Sequence, residues 1–105
     1  MIYITEQNFE QEVVQAEKPV VIDFWADWCV PCKMLTPVLE ELAKDNSFIR
    51  IGKVNVDESP ELTQTFEVQT IPLLVVIKDS EVIESSVGVK SGDAIRAMVA
   101  DCKLD

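Results

Sequence analysis

The stretch that decides the fold runs from Val20 to Lys33 and reads VVIDFWADWCVPCK. Its first half is a continuous apolar run with β-branched and aromatic residues, which is typical of a strand buried on both faces. Its second half carries two cysteines separated by two residues. Apolar residues then recur at spacings of three and four, which predicts a helix whose buried side is Met34, Leu35, Val38, Leu39 and Leu42. The two thiols therefore lie where a strand passes into the N-terminus of a helix.

This position favours a reactive thiolate at Cys29. The first helical turn has backbone N–H groups without intrahelical partners and carries the positive end of the dipole, and both stabilise an anion. Lys33 adds a positive charge, and Pro31 suits the first turn because its missing N–H costs no hydrogen bond there. We expect Cys29 at an exposed tip as the attacking thiol. Cys32, inside the helix, is expected to be the more shielded, resolving thiol.

Other uses of the cysteine pair are weaker alternatives. A zinc site needs four ligands and an iron–sulfur cluster needs four cysteines, whereas this chain has three cysteines and no histidine. A structural disulfide is unusual in a chain that shows no secretory segment. Cys102, the third cysteine, is spaced to lie on the buried face of the last helix, which indicates a core residue and not a second redox site. A redox-active dithiol is the favoured interpretation, with a metal site or a structural disulfide as the alternatives.

Length and charge limit the classes of function. The 105 residues predict one domain spanning residues 1–105, and 48% of them are hydrophobic, as in globular proteins. The net charge is −10, and no basic patch is present, which argues against nucleic acid or an anionic membrane as a partner. The N-terminus does not resemble a signal peptide, and an odd cysteine count without one indicates a reducing cytoplasm.

The pattern along the chain alternates strands with helices before a terminal hairpin and helix. We expect a short edge strand at 2–4, a helix from Thr5 to Ala16, the strand from Val20, a helix ending at 45–47, a strand at 48–56, a helix capped by Ser59 and ending at Phe66, a strand at 71–77, a turn at 78–81, a strand at 82–87 and a helix capped by Ser91. Pro37 either kinks the long helix or marks a helix start. This order implies a mixed sheet covered by helices on both faces.

The residues around the cysteines resemble the active-site segment of the thioredoxin family. The resemblance rests on WADWCVPCK at 25–33, KVNVD at 53–57, TIP at 70–72 and VGV at 87–89, and it covers the whole chain. It implies an α/β thioredoxin fold, with a central mixed five-stranded sheet flanked by four helices. Three positions depart from the family pattern: Val30 and Ser80 replace common glycines, and Leu73 replaces a common threonine.

Asp23 is the best candidate for proton transfer. It lies six residues before Cys29 in an otherwise apolar run, on the strand face that also carries Val21 and Trp25. Burial of an ionised carboxylate is costly, so the pKa of Asp23 should be raised; the alternative is a side chain that reaches solvent. The resemblance implies that this aspartate helps to deprotonate the resolving cysteine and that Lys53 lies near it and tunes it. Taken alone, Lys53 would be a solvated residue at a strand end.

The resemblance also implies a substrate-binding surface around the dithiol. It places a cis bond between Ile71 and Pro72, packed against the cysteines, and lets the Ile71 backbone pair with an extended segment of a substrate. The remaining members of the surface are Trp28, Val30, Pro31 and Gly88. Core packing is the alternative for Trp28, although its position beside the cysteines favours partial exposure.

The function that the resemblance implies is that of a cytoplasmic, monomeric protein-disulfide reductase. Such a thiol–disulfide oxidoreductase attacks a disulfide in a partner protein, forms a mixed disulfide and then resolves it. A thioredoxin reductase would recycle this electron carrier, and no bound cofactor or metal is required. One alternative is a binding module or chaperone whose cysteines do not turn over. Another is an oxidase or isomerase of an oxidising compartment, although such relatives usually have a histidine between the cysteines and an export signal.

Overall fold

A mixed five-stranded sheet forms the centre of the molecule. The computed structural model describes residues 1–45 and 49–100. The strands are β1 (Ile2–Tyr3), β2 (Val20–Trp25), β3 (Arg50–Asn55), β4 (Leu73–Lys78) and β5 (Glu81–Val87). They lie in the order β1-β3-β2-β4-β5, with β1, β3 and β2 parallel and with β4 and β5 antiparallel to their neighbours. The expected sheet is confirmed, and its central strand is the apolar run that precedes the cysteines.

Four helical segments accompany the sheet in the described ranges. They are a π-helix (Glu10–Val14), α1 (Val30–Asp45), α2 (Pro60–Thr65) and α3 (Gly92–Ala100). None of the helices described is both long and apolar enough to cross a membrane. The three α-helices fall where the sequence predicts them. Asn46 and Ser47, at the predicted end of the long helix, and Cys102 lie outside the described residues.

The prediction of a helix from Thr5 to Ala16 is wrong in its length. Asn8 closes a turn instead, because its side-chain oxygen accepts from Thr5 N at 2.8 Å and its amide donates to Tyr3 O at 2.9 Å. The helix that follows has π geometry, with Gln15 N donating to Glu10 O at 3.0 Å. The predicted buried side is nevertheless present, since Val13 is buried and Phe9 packs against the core.

Helix α1 runs without interruption through Pro37, so the reading of Pro37 as a helix start is wrong. The helix buries Leu35, Leu39 and Leu42. Met34, which the sequence assigned to the same side, is 62% exposed. The reason is geometric: each helical residue turns by about 100°, which carries Met34 off the row of buried leucines and towards solvent.

The helix caps show one confirmed and one wrong prediction. Ser91 caps α3 as predicted, with its Oγ accepting from Ala94 N at 3.1 Å. Ser59 stands before α2 but makes no side-chain cap bond. Glu6 serves α2 instead, because its Oε2 accepts from Glu61 N at 2.8 Å and from Leu62 N at 3.3 Å. A carboxylate at this point satisfies free N–H groups and complements the positive end of the dipole.

The hairpin and the segment before it also follow the sequence closely. Asp79 and Ser80 form the two-residue turn between β4 and β5, with φ of 53° and 66°. Positive φ at both turn residues matches the twist of the flanking strands. The strand begins at Leu73, two residues later than predicted, because Ile71 and Pro72 form a bend before it. The Ile71–Pro72 bond is cis, as the resemblance implies.

Two layers of core lie on opposite sides of the sheet. The α1 face is the side that bears Val21, Asp23 and Lys53, and its core joins the sheet to α1 and α3. The α2 face is the side that bears Ile22, Phe24 and Val54, and its core joins the sheet to the π-helix and α2. Strand alternation alone assigns these residues to the two faces.

Candidate active site

The two cysteines lie between the end of β2 and the first turn of α1. After Trp25 the chain forms a tight turn in which Cys29 N donates to Ala26 O at 3.2 Å, and α1 begins at the next residue. Cys29 and Cys32 are joined by a disulfide, with their Cα atoms 5.3 Å apart. Cys32 N donates to Cys29 Sγ at 3.2 Å. One backbone N–H of the first turn of α1, that of Cys32, therefore points at the sulfur of Cys29, as expected for a site that stabilises a thiolate.

The expectation that Cys29 lies at an exposed tip is wrong. Cys29 is 4% exposed and Cys32 is 2% exposed, so the two differ little. The reason is the packing around the turn. Both cysteines form a small cluster with Ala26, against which pack the neighbouring Trp25 and, from two distant segments, Val56 and Ile71. Access to the disulfide is therefore narrow, and the exposed surface belongs to its neighbours.

Those exposed neighbours are mainly apolar. Trp28 is 68% exposed and Val30 is 65% exposed, one on each side of Cys29 in the chain. Trp28 Nε1 donates to Asp57 Oδ2 at 2.9 Å, which ties the indole to the loop after β3. The alternative that Trp28 is a core residue is therefore wrong. Exposed tryptophan with one satisfied polar atom is a common feature of surfaces that bind other proteins.

The loop after β5 is fastened to the segment before β4. Gly88 N donates to Pro72 O at 2.8 Å, and Gly88 has a φ of +96°, a conformation that favours glycine. Val87 and Val89, on either side of it, are exposed. Of the six predicted binding residues, Trp28, Val30 and Pro31 are exposed, Ile71 and Gly88 are half-buried, and Pro72 is buried.

Asp23 is fully buried on the α1 face. Neither of its carboxylate oxygens has a hydrogen-bond partner among the described protein groups. Removal from water raises the pKa of Asp23 to about 6, and the positive charge of Lys53 opposes part of that rise. The alternative of a side chain that escapes to solvent is wrong. A carboxyl group with this pKa can both accept and release a proton near neutral pH.

Lys53 is the register partner of Asp23 on the neighbouring strand, and it is only 7% exposed. It is therefore not a solvated residue at a strand end. Its Nζ donates to Thr36 Oγ1 at 3.3 Å and lies 4.4 Å from the centroid of the Trp25 ring. Both contacts stabilise a buried ammonium, the first by a hydrogen bond and the second by a cation–π interaction.

Sequence reasoning missed Thr36. Its hydroxyl donates to Cys32 O at 3.3 Å and accepts from Lys53, so it joins the helical turn of the dithiol to the charged pair below. The available signal was its spacing, because Thr36 lies one helical turn after Cys32 on the same side of α1. Within the described part of the chain, no group of acidic residues and cysteines is arranged to hold a metal ion.

Comparison with known proteins identifies relatives along most of the chain. The thioredoxin family model matches residues 1–101. The chain is 39% identical to thioredoxin of Rickettsia bellii over 93 residues, which are 88% of this chain and 89% of the relative. It is 40% identical to thioredoxin of Alicyclobacillus acidocaldarius over 99 residues, 93% of each chain. It is 40% identical to thioredoxin of Mycobacterium tuberculosis over 101 residues, 95% of this chain and 87% of the relative.

Proposed function

Because the chain belongs to the thioredoxin family of protein-disulfide reductases, we propose that Cys29 is its attacking thiol and Cys32 its resolving thiol. The chain is a thiol–disulfide oxidoreductase with a Cys-x-x-Cys dithiol. The observation that carries the assignment of roles is the hydrogen bond from Cys32 N to Cys29 Sγ at the start of α1. A donor in that position stabilises negative charge on Cys29, and no equivalent donor to Cys32 Sγ is described.

The proposed reaction has two exchange steps. The Cys29 thiolate attacks one sulfur of a partner disulfide, a mixed disulfide forms, and the other partner sulfur leaves as a thiolate. The Cys32 thiol then loses its proton and attacks Cys29 Sγ. The Cys29–Cys32 disulfide closes, and the remaining partner sulfur leaves and takes up a proton. Two electrons pass to the partner, which ends as a dithiol while the protein ends as a disulfide.

We propose that Asp23 accepts the proton that Cys32 loses in the second step. The chain contains no histidine, and Asp23 is a buried carboxyl group on the sheet face covered by the helix that carries Cys32. With a pKa of about 6 it is mostly ionised at neutral pH and can accept the proton. Lys53 tunes this group in the proposal, because its positive charge favours the ionised form.

The proposed docking surface consists of Trp28, Val30, Pro31, Ile71, Pro72 and Gly88. Its exposed apolar members flank a disulfide that is itself nearly buried, so a partner reaches Cys29 by first covering them. The proposed partners are proteins that contain a disulfide, bound through an extended segment beside Ile71. A thioredoxin reductase would return the dithiol to its reduced form, which makes the protein an electron carrier.

We further propose that residues 1–105 act as one monomeric domain in the cytoplasm. A reductant of this kind works where its dithiol is continuously reduced. Sedimentation of the purified chain at micromolar concentration tests the monomer, and cell fractionation with the redox state of Cys29 trapped by alkylation tests the location. A stable dimer would contradict the monomer. Protein found in the cell-envelope fraction with its cysteines fully oxidised would contradict the cytoplasmic location.

Insulin reduction is the decisive test of the proposed roles. The wild type should catalyse reduction by dithiothreitol, and Cys29→Ser should lose catalysis to the uncatalysed rate. Cys32→Ser should instead accumulate a mixed disulfide through Cys29, which mass mapping detects. Cys102→Ser is the matched control that removes the third thiol, and it should retain turnover. Full turnover by Cys29→Ser would contradict the role of Cys29 as the attacking thiol, whereas a wild type without catalysis would support a binding module whose cysteines do not react.

A further inference from the structure

The hydroxyl of Thr36 connects two parts of the site that the proposed mechanism treats separately. It donates to the carbonyl of Cys32 at 3.3 Å and accepts from the ammonium of Lys53 at 3.3 Å. We propose that Thr36 is a positioning residue that holds the Lys53 ammonium away from Asp23 and ties it to the helical turn of the dithiol. The position of Lys53 is argued from geometry alone; only the expected effect on catalysis rests on the proposed function.

The first step concerns what Lys53 could reach. Asp23 and Lys53 are directly paired on parallel neighbouring strands and lie on the α1 face. Such strands are separated by ~4.8 Å, so a lysine side chain can bend to meet the carboxylate beside it. The carboxylate has no hydrogen-bond partner among the described protein groups, and it would accept one. The ammonium is instead placed against Thr36 and the ring of Trp25.

The second step concerns which charges face Asp23. On the α1 face of β3 the charged group is Lys53, which alone contributes a resolved electrostatic effect on Asp23; Arg50, the other charged residue of β3, pairs with Glu12 of the π-helix. On this face α1 packs uncharged leucines that include Leu35 and Leu39, Thr36 contacts Lys53 through its hydroxyl, and Cys32 carries no charge while it forms the disulfide. The neighbouring β4 residue is Leu74, and α3 contributes Ile95. The position of the ammonium is therefore the main electrostatic variable at Asp23 in the oxidised protein.

The third step is the result of removing the hydroxyl. A buried ammonium that loses its oxygen acceptor carries a large desolvation cost until it finds another. The unpartnered acceptor beside it is the Asp23 carboxylate. Without Thr36, Lys53 should turn to Asp23 and stabilise its ionised form, so the pKa of Asp23 should fall below about 6. If Asp23 transfers the proton of Cys32, the pH profile of the resolving step should move to lower pH with it.

The test is a carboxyl carbon NMR titration of Asp23 in the full-length oxidised protein, where the paired cysteines do not titrate. The resonance is assigned by its absence from Asp23→Asn. Thr36→Val should lower the midpoint by about one pH unit, since an opposite charge brought close lowers a carboxyl pKa by about 1–3 units. Thr36→Ser keeps the hydroxyl and should retain the wild-type midpoint.

The matched control is Thr63→Val. Thr63 makes the same kind of bond as Thr36, from its hydroxyl to the carbonyl four residues earlier, Ser59 O, at 2.8 Å, but no lysine among the described residues donates to it. This variant should leave the Asp23 midpoint in place. Thr36→Ala provides a second hydroxyl deletion with good helix propensity in case the valine variant does not fold.

An unchanged or raised midpoint in the folded hydroxyl deletions would overturn the proposal. So would an equal shift in Thr36→Ser or in Thr63→Val. The titration measures the link between Thr36, Lys53 and Asp23 without requiring turnover. If the insulin assay failed, the proposed cysteine roles would be wrong, but the titration would still test the position of Lys53. If the titration failed, the role of Thr36 would be wrong, but the cysteine roles would still stand on the insulin assay.

Discussion

The two faces of strands β2 and β3 differ sharply although their residues alternate along the same chain. On the α2 face, Ile22, Phe24 and Val54 are apolar and fully buried. On the α1 face, Asp23 and Lys53 place a carboxyl group and an ammonium under the helix that carries the dithiol. Apolar burial stabilises the fold by roughly 25 cal/mol per Å². Buried charge costs free energy, so both faces stabilise the fold through their apolar cores, but only the α1 face also carries this buried pair of ionisable groups.

The largest expected effect is on the α2 face. Phe24 is fully buried and packs against Phe66, with ring centroids 5.4 Å apart. Phe24→Ala should lower the free energy of unfolding by about 3–5 kcal/mol, as other large-to-small core changes do. Urea unfolding measures this loss, and Tyr3→Ala, which removes an exposed ring, should have little effect. If Phe24→Ala also moves the Asp23 titration substantially, the two faces are not separate.

The next effect is the cost of the carboxyl group on the α1 face. Because the pKa of Asp23 rises from 3.8 to about 6 on folding, the folded state binds the proton more tightly. The resulting stability is present below pH 3.8, is lost as the pH rises to about 6, and stays lost above that. Asp23→Asn should therefore gain stability relative to the wild type by roughly 3 kcal/mol between pH 4 and pH 8.

Urea unfolding of both proteins across that pH range checks the prediction. Asp27→Asn removes an exposed carboxylate a few residues away and serves as the control, with little pH-dependent difference expected. A difference between Asp23→Asn and the wild type that does not vary with pH would show that burial does not destabilise the ionised group.

Asp23→Ala tests the kinetic role of this carboxyl group: the variant should leave the first attack by Cys29 nearly intact and slow the release of the mixed disulfide.

A smaller effect is expected from the partner charge. Lys53→Met removes the ammonium that favours ionised Asp23, so the pKa of Asp23 should rise further above about 6. The rise should be about one pH unit, in the range produced by a single nearby charge. NMR titration measures it, with Lys44→Met as the control because Lys44 is an exposed residue in the last turn of α1. A fall in the midpoint would mean that Lys53 does not act on Asp23 through its charge.

The smallest effect concerns the rim of the site. Val30 is the first residue of α1 and is 65% exposed. Val30→Gly should change the redox potential by only ~20 mV or less, because helix-end stabilisation of an anion is worth about 0.3–1 kcal/mol and 30 mV corresponds to about 1.4 kcal/mol. The relative rates on a protein disulfide and a small disulfide should change more. Equilibration with glutathione measures the potential, and a shift of ~60 mV or more with unchanged relative rates would contradict the prediction.

Local pattern was enough for the parts of the fold that neighbouring residues decide. The apolar run before the cysteines predicts β2, the spacing after them predicts α1, and Ser91 predicts the start of α3. These features depend on alternation, helical period and short-range hydrogen bonds, which are visible in a window of a few residues. The place of Asp23 on the α1 face follows from the same alternation.

Contacts between distant segments decided the rest. Glu6 caps α2 from 55 residues away, and this displaced the predicted role of Ser59. Cys29 is buried because Ile71, from the segment before β4, packs against it and Cys32.

The sequence by itself determined that two thiols sit at a helix N-terminus and that Asp23 shares a strand face with Val21 and Trp25, because these positions follow from local periodicity, whereas the burial of Asp23 was settled by the packing of the folded chain. Only the tertiary structure decided where the Lys53 ammonium lies. Its side chain could reach several groups, and the choice of Thr36 and the Trp25 ring depends on how α1 packs over β2 and β3. The position of a long side chain depends on the partners that folding brings within its reach, and the sequence pattern along one strand does not show which partners these are.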